Sequence, residues 1–280
     1  MPKHICNKFT GYTALSSTDA QTLGGADLGL PDGAKSILAV IPYITSPAGC
    51  TANEAIVGKV SITSTDVGKG LNPINILAQP IGSQLQGALA VGQPQGGAKG
   101  VIYPINCNIN GGEDLTIKGQ GLINHTIEPY MGVEVIYSDL PAHKAQRYYK
   151  VGTYTNTGTS AATVIGSTIK VTGGKTLVEV NGFAVGTTVA TLKGLCGYFI
   201  FTSEGLSPSW IPELPINPAS GGVGTDLQET IAGLARRKIQ LDMDKTVTIQ
   251  DDFHLSVALT TTGNFIAGVG YTKRGDQRPI

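Results

Sequence analysis

The sequence predicts an all-β protein built as two successive eight-stranded antiparallel sandwiches. Three observations carry that expectation. Glycine, at 38 of 280 residues, is about twice its usual share. Charged residues make up only 14% of the chain, while Thr, Val and Ile are plentiful, which suits short strands and tight turns. Most telling, the chain says nearly the same thing twice. Leu71, Pro73, Ile76, Pro80 and Ile81 recur as Leu206, Pro208, Ile211, Pro215 and Ile216 at one constant spacing. SQLQGALA from Ser83 then returns as TDLQETIA from Thr225, after an extra NPASGGV stretch in the second copy. A repeat of this length determines the whole architecture.

The repeat extends in both directions and keeps its order. SILAVIPYI (36–44) corresponds to TLVEVNGFAV (176–185), with Leu38 set on Leu177. IVGKVSITS (56–64) corresponds to LCGYFIFTS (195–203), with Gly58 on Gly197 and Ile62 on Phe201. Upstream, LGLPDGAK (28–35) resembles IKVTGGK (169–175), and the text around Tyr12 resembles that around Tyr154. Downstream, Ile105 falls on Ile239, and DLTIKGQGL (114–122) falls on TVTIQDDFHL (246–255). Finally Val135 and Tyr137 fall on Val269 and Tyr271. The copies meet in SDLPAHKAQR (138–147), where a proline and charges break the strand pattern. The expected division is therefore 1–140 for the first unit, 141–147 for a linker and 148–280 for the second unit.

In the second copy, strands are expected near 148–155, 162–171, 176–185, 195–203, 208–215, 236–243, 246–260 and 264–272. VEVNGFAV and AGVGYT alternate apolar and polar, as half-buried antiparallel strands do. IVGKVSIT and GYFIFT are more continuously apolar, which predicts burial on both faces. TDLQETIAGLARR predicts a helix, with an N-capping start, arginines in the last turn and Leu227, Ile231 and Leu234 on one face. Its first-copy counterpart keeps Leu85 and Leu89 but carries two glycines, which shortens it. Eight antiparallel strands of this length close into a sandwich or barrel, and the jelly roll is the common solution.

Composition excludes several functions. Twenty basic residues balance twenty acidic ones, so no direct nucleic-acid binding is expected. The start lacks the apolar run of a signal peptide, and no stretch is long enough to cross a bilayer as a helix. Cys6, Cys50, Cys107 and Cys196 form no C-x-x-C pair and read as buried or half-buried free thiols of a reducing cytosol. His4, His125, His143 and His254 lack the His-x-His of a cupin metal site, so no enzyme, cofactor or metal is expected. Asp242, Asp244, Asp251 and Asp252 form the one dense acidic group, without the glycine and final glutamate of a calcium loop. Trp210, flanked by prolines, reads as a packing anchor between the two units.

A tandem pair of jelly rolls, each with a helix before its last three strands (near Ser83 and Thr225), resembles the double jelly-roll major capsid proteins. These belong to tailless icosahedral, membrane-containing double-stranded DNA viruses, the corticovirus and tectivirus lineage. The resemblance covers about 6 to 273 and rests on architecture and repetition. It implies a helix between strands F and G of each roll, and a structural coat subunit whose trimers form pseudo-hexagonal capsomers. It further implies a place in the virion shell, assembly in the host cytoplasm, and minor capsid or penton proteins and an internal membrane as neighbours. Both termini would then face that membrane, offering Lys3, Lys8, Lys273, Arg274 and Arg278 to anionic headgroups. The competing reading is a tandem β-sandwich binding module (an adhesin, tail fibre or carbohydrate-binding protein), which exposed clustered aromatics would favour.

Overall fold

The structure, a computed structural model, describes residues 4–15, 19–45, 58–67, 74–78, 102–121, 130–156, 163–164, 169–171, 175–186, 197–202, 213–216, 239–240, 246–247, 251–259 and 263–273. The two expected helices fall at 79–101 and 217–238, outside these residues, as do Trp210, Cys50 and Cys196.

The first half contributes β1 (Ile5–Phe9), β2 (Thr13–Ala14), β3 (Gln21–Thr22), β4 (Leu28–Gly29), β5 (Ser36–Thr45), β6 (Gly58–Thr63), β7 (Ile74–Ala78), β8 (Tyr103–Asn108), β9 (Asp114–Gly121) and β10 (Tyr130–Ser138). They form two sheets, ordered β1-β10-β5-β8 with β2 also on β10, and β3-β9-β6-β7 with β4 also on β9. Every pairing is antiparallel, and the chain passes repeatedly from one sheet to the other. That is a jelly roll.

Alternation decides what it buries. β6 and β8 alternate strictly between buried and half-buried residues, and β9 nearly so. Val60, Ile62, Ile76, Tyr103, Ile105, Leu115, Ile117, Val133 and Val135 meet between the sheets in one core. The burial of β6 on both faces that its composition suggested is not seen. Lys59 and Ser61 face outward, because the text reads as apolar only where its polar members are small or long-stemmed.

The second half contributes β11 (Arg147–Asn156), β12 (Thr163–Val164), β13 (Ile169–Val171), β14 (Lys175–Gly186), β15 (Gly197–Thr202), β16 (Glu213–Ile216), β17 (Ile239–Gln240), β18 (Thr246–Val247), β19 (Asp251–Leu259) and β20 (Gly263–Lys273). The orders repeat those of the first half: β11-β20-β14-β17 with β18 on β14, and β12-β19-β15-β16 with β13 on β19. The expected strand 246–260 is two strands. Thr246–Val247 pairs with β14 and Asp251–Leu259 with β15, so the chain changes sheets between them.

Register turns the sequence repeat into a structural one and corrects parts of it. In the first half β10 and β5 shift register at Ile136/Tyr137, so that Tyr137 faces Ile37 and Ile136 faces Ala39. In the second half Tyr271 faces Leu177 and Gly270 faces Glu179. The same β-bulge stands at the same place in both rolls, around Leu38 and Val178. Tyr137 therefore does correspond to Tyr271, but Leu177 corresponds to Ile37 and not to Leu38.

Similarly, Tyr103 faces Val40 as Ile239 faces Val180, which replaces the match of Ile105 with Ile239. Asp114–Gly121 corresponds to the strand Asp251–Leu259, both facing the Gly58 and Gly197 strands, and not to Thr246 onward. Ala78 faces Gly58 as Ile216 faces Gly197, so the proline-spaced match that pairs Ile81 with Ile216 is three residues out of register.

Candidate assembly surface

The segment after β10 is fastened at both ends. Ser36 Oγ donates to the Leu140 carbonyl at 2.6 Å, and the Ala142 amide donates to Asn108 Oδ1 at 2.7 Å. Asn106 Nδ2 donates to the Ala145 carbonyl at 3.4 Å. At the other terminus the His4 amide donates to Asp139 Oδ1 at 3.2 Å, so β1 begins where β10 ends. This proline-containing connection is thus held on the first roll by side chains of β5 and β8.

These bonds deliver β11, the edge strand of the second roll, against β7 and β8 of the first. Tyr149 anchors the contact. It is 3% exposed, its ring stands edge-on to Tyr103 with centroids 5.4 Å apart, and its hydroxyl donates to the Pro104 carbonyl at 2.9 Å. Its own ladder partner is Gly270, which is buried. A glycine there leaves the outer face of the sheet clear beneath the tyrosine. Beside it, burial lowers the Lys150 ammonium below its ordinary pKa. The two rolls therefore meet unlike to unlike: the β7/β8 edge of one takes the β11 edge of the other.

The strand of the first roll that corresponds to β11 is β1, and all of its residues are exposed. By alternation Ile5, Asn7 and Phe9 share the outer face of the sheet. Ile5, Phe9 and the nearby Tyr12 are 57%, 42% and 53% exposed. Phe9 stands edge-on to Tyr12 at 5.0 Å and to Tyr43 at 6.1 Å. The Phe9 ring lies over Gly132, where a Cβ would come within 2.7 Å of Cζ.

Glu134 sits between these rings, accepting from Asn7 Nδ2 and from the Tyr43 hydroxyl, the latter at 2.7 Å. Burial first, and then the Glu134 bond and charge, push the Tyr43 phenol up to about 12. Tyr130, 40% exposed, closes the strip at the far end of β10. Nothing in the sequence announces this surface, because its members come from β1, β5, β10 and the turn at Tyr12, and only the fold brings them together.

The residues expected at a membrane-facing base divide. Lys8 lies within β1 and donates to the Gly29 carbonyl, while Lys273 is the last residue of β20, facing Lys175. Lys3, Arg274 and Arg278 lie outside the described residues. Each roll begins and finishes at one end of its sandwich, Ile5 facing Ser138 and Arg147 facing Thr272. Cys107 is buried, but Cys6 is exposed beside Tyr137, contrary to the expectation of burial, because an edge strand covers one side only. Burial and the Cys6 thiol together raise the Tyr137 phenol. Asp251 and Asp252 open β19, and among the described residues no three His, Cys, Asp or Glu side chains stand together as metal ligands.

Two jelly rolls of one topology in a single chain define the double jelly roll, the fold of several viral major capsid proteins. Among solved structures, the major capsid protein of STIV aligns with a TM-score of 0.53 at 9% identity, over 96% of this chain and 97% of that one. A chain from the atomic structure of Sulfolobus Turreted Icosahedral Virus aligns at 0.51 and 11% identity, over 96% and 91%. The major capsid protein of bacteriophage PM2 aligns at 0.37 and 8% identity, over 96% and 97%. No family model matches the chain, and no curated protein matches it. What the chain shares with the STIV proteins is the fold, end to end.

Proposed function

We propose that this protein is a major capsid subunit, structural and not catalytic, whose trimers present six jelly rolls as a pseudo-hexagonal capsomer of a virion shell. The observation that carries the reading is the unlike-to-unlike joint within the chain. A lobe whose β11-type edge fits a β7/β8-type edge can repeat that contact around a ring, and two lobes per chain make a six-lobed ring from a trimer. End-to-end likeness to the STIV capsid proteins supports the same reading. The division into 1–140, 141–147 and 148–280 belongs to this proposal, as do assembly in the host cytoplasm and neighbouring minor capsid or penton proteins. So does an internal membrane facing Lys3, Lys273, Arg274 and Arg278, with Lys8 already engaged on Gly29.

The test is light scattering on the purified protein, with its mass compared against the 29.0 kDa chain. A particle of trimer mass that persists at raised salt is expected, since apolar burial is screened little. A monomer at high concentration would instead favour a tandem β-sandwich binding module. The exposed Phe9, Tyr12 and Tyr130 would then be its contact surface.

A further inference from the structure

Within the chain one edge of each kind is used, and each has a counterpart in the other roll, of which β1 is exposed. The used pair is β11 of the second roll against β7 and β8 of the first, with Tyr149 between Tyr103 and the Pro104 carbonyl. The ladders identify the corresponding positions. Asn7 faces Ile136 on β10 as Tyr149 faces Gly270 on β20, and Phe9 faces Glu134 as Val151 faces Gly268. On the other side, Tyr103 and Pro104 face Val40 and Ala39, as Ile239 and Gln240 face Val180 and Glu179. In the covered copy of the edge the tyrosine is 3% exposed; in the other copy Ile5 and Phe9 are 57% and 42% exposed.

We infer that the outer face of β1, with Ile5, Asn7, Phe9 and the adjoining Tyr12 and Tyr43, docks on the β16–β17 edge of a second copy of this chain. The Asn7 position of one copy then meets the Ile239–Gln240 position of the next, as Tyr149 meets Tyr103 and Pro104 within a chain. The occupant is a second copy because the same edge pairing is already built inside the molecule, and the exposed strip continues it. The side chains at the two joints differ in kind. Within the chain a buried tyrosine makes the contact, while between chains an aromatic strip around Glu134 supplies area without a deep anchor. Such an asymmetry lets the subunit fold first and associate afterwards. The inference rests on the capsomer reading and adds to it which faces meet.

The experiment is site-directed crosslinking in the full-length protein, with Cys6, Cys50, Cys107 and Cys196 replaced by alanine. Asn7→Cys and Gln240→Cys are introduced together and treated with a short bis-maleimide. Asn106→Cys with Ala145→Cys serves as the within-chain control. The expected result on a denaturing gel is a ladder ending at the covalent trimer for the first pair, and no intermolecular product for the control. A trimer by light scattering that yields no covalent oligomer from the Asn7–Gln240 pair would overturn the docking while leaving the capsomer. A ladder running beyond the trimer would overturn the closed ring, and a monomer would overturn both.

Phe9→Glu provides a second test in the native background. The residue is exposed in the single chain, so the variant is expected to keep the circular dichroism of the parent and lose the trimer. Retention of the trimer would refute the docking.

Discussion

Tyr149 and Asn7 occupy one position in two copies of a motif, and their difference is chemical. A phenol can fill a groove and still satisfy its hydroxyl, as Tyr149 does on the Pro104 carbonyl; an asparagine reaches only to Glu134 on its own sheet. Removing the hydroxyl alone, in Tyr149→Phe, is expected to cost about 1 kcal/mol. Tyr149→Ala is expected to cost about 3–5 kcal/mol by emptying the joint, and urea titration distinguishes the two. Tyr43 offers a second handle. Its phenol is raised from 10.0 to about 12, so the folded state favours the neutral form. That contribution is complete below pH 10 and is lost as pH rises through about 12. Titration of phenolate absorbance should show a late tyrosine that Tyr43→Phe removes and Glu134→Gln moves earlier.

At the scale of the element, the shared bulge is the feature that ordinary pattern reading misses. Ile37, Ala39, Val40 and Ile41 are all buried, so SILAVIPYI reads as one apolar run, and nothing in it announces an extra residue. The bulge shows only in the register with β10. Its physical effect is to change the phase of the strand at Leu38. Deleting Leu38 would close the bulge and leave Ile37 opposite Tyr137 on the core face, because Val40, Ala39 and Ile37 already face Val135, Ile136 and Tyr137 in turn. The deletion is therefore expected to keep the fold at a cost of about 1 kcal/mol or less, against about 2–5 kcal/mol for Ile37→Ala. Hydrogen exchange along the β5–β10 ladder would report the difference. The proline-spaced repeat teaches the converse. Letters can match strongly three residues away from structural equivalence, because prolines mark strand ends while ladder partners mark position.

For the whole molecule, both rolls enter and leave their sandwiches at one end, which gathers charge there. Lys273 faces Lys175, and Arg147 faces Thr272 one step inward. In the capsomer reading the partner of this end of the rolls is an anionic membrane. If an anionic membrane is that partner, replacing Lys273, Arg274 and Arg278 by glutamine should remove about 1 kcal/mol per cation. That amounts to roughly 100-fold in affinity per chain for phosphatidylserine vesicles. Flotation assays at low and raised salt would measure the loss, and unchanged binding would leave the tail without a membrane role.

The sequence by itself determined the class: glycine content, alternation and a full-length repeat are properties of the chain, and they require two similar β-sandwiches. It also placed most strands to within a few residues, because alternation is local. Only the tertiary structure decided the register, the shared bulge, the switch of sheets after Val247 and the exposed strip on β1. Each of these depends on which strands lie side by side. Pairing over more than a hundred residues, as between Cys6 and Tyr137 or Tyr148 and Tyr271, leaves no periodic trace in either strand alone. The joint is the clearest case: Tyr149 and Asn7 look equally unremarkable in the text, and the fold buries one and exposes the other.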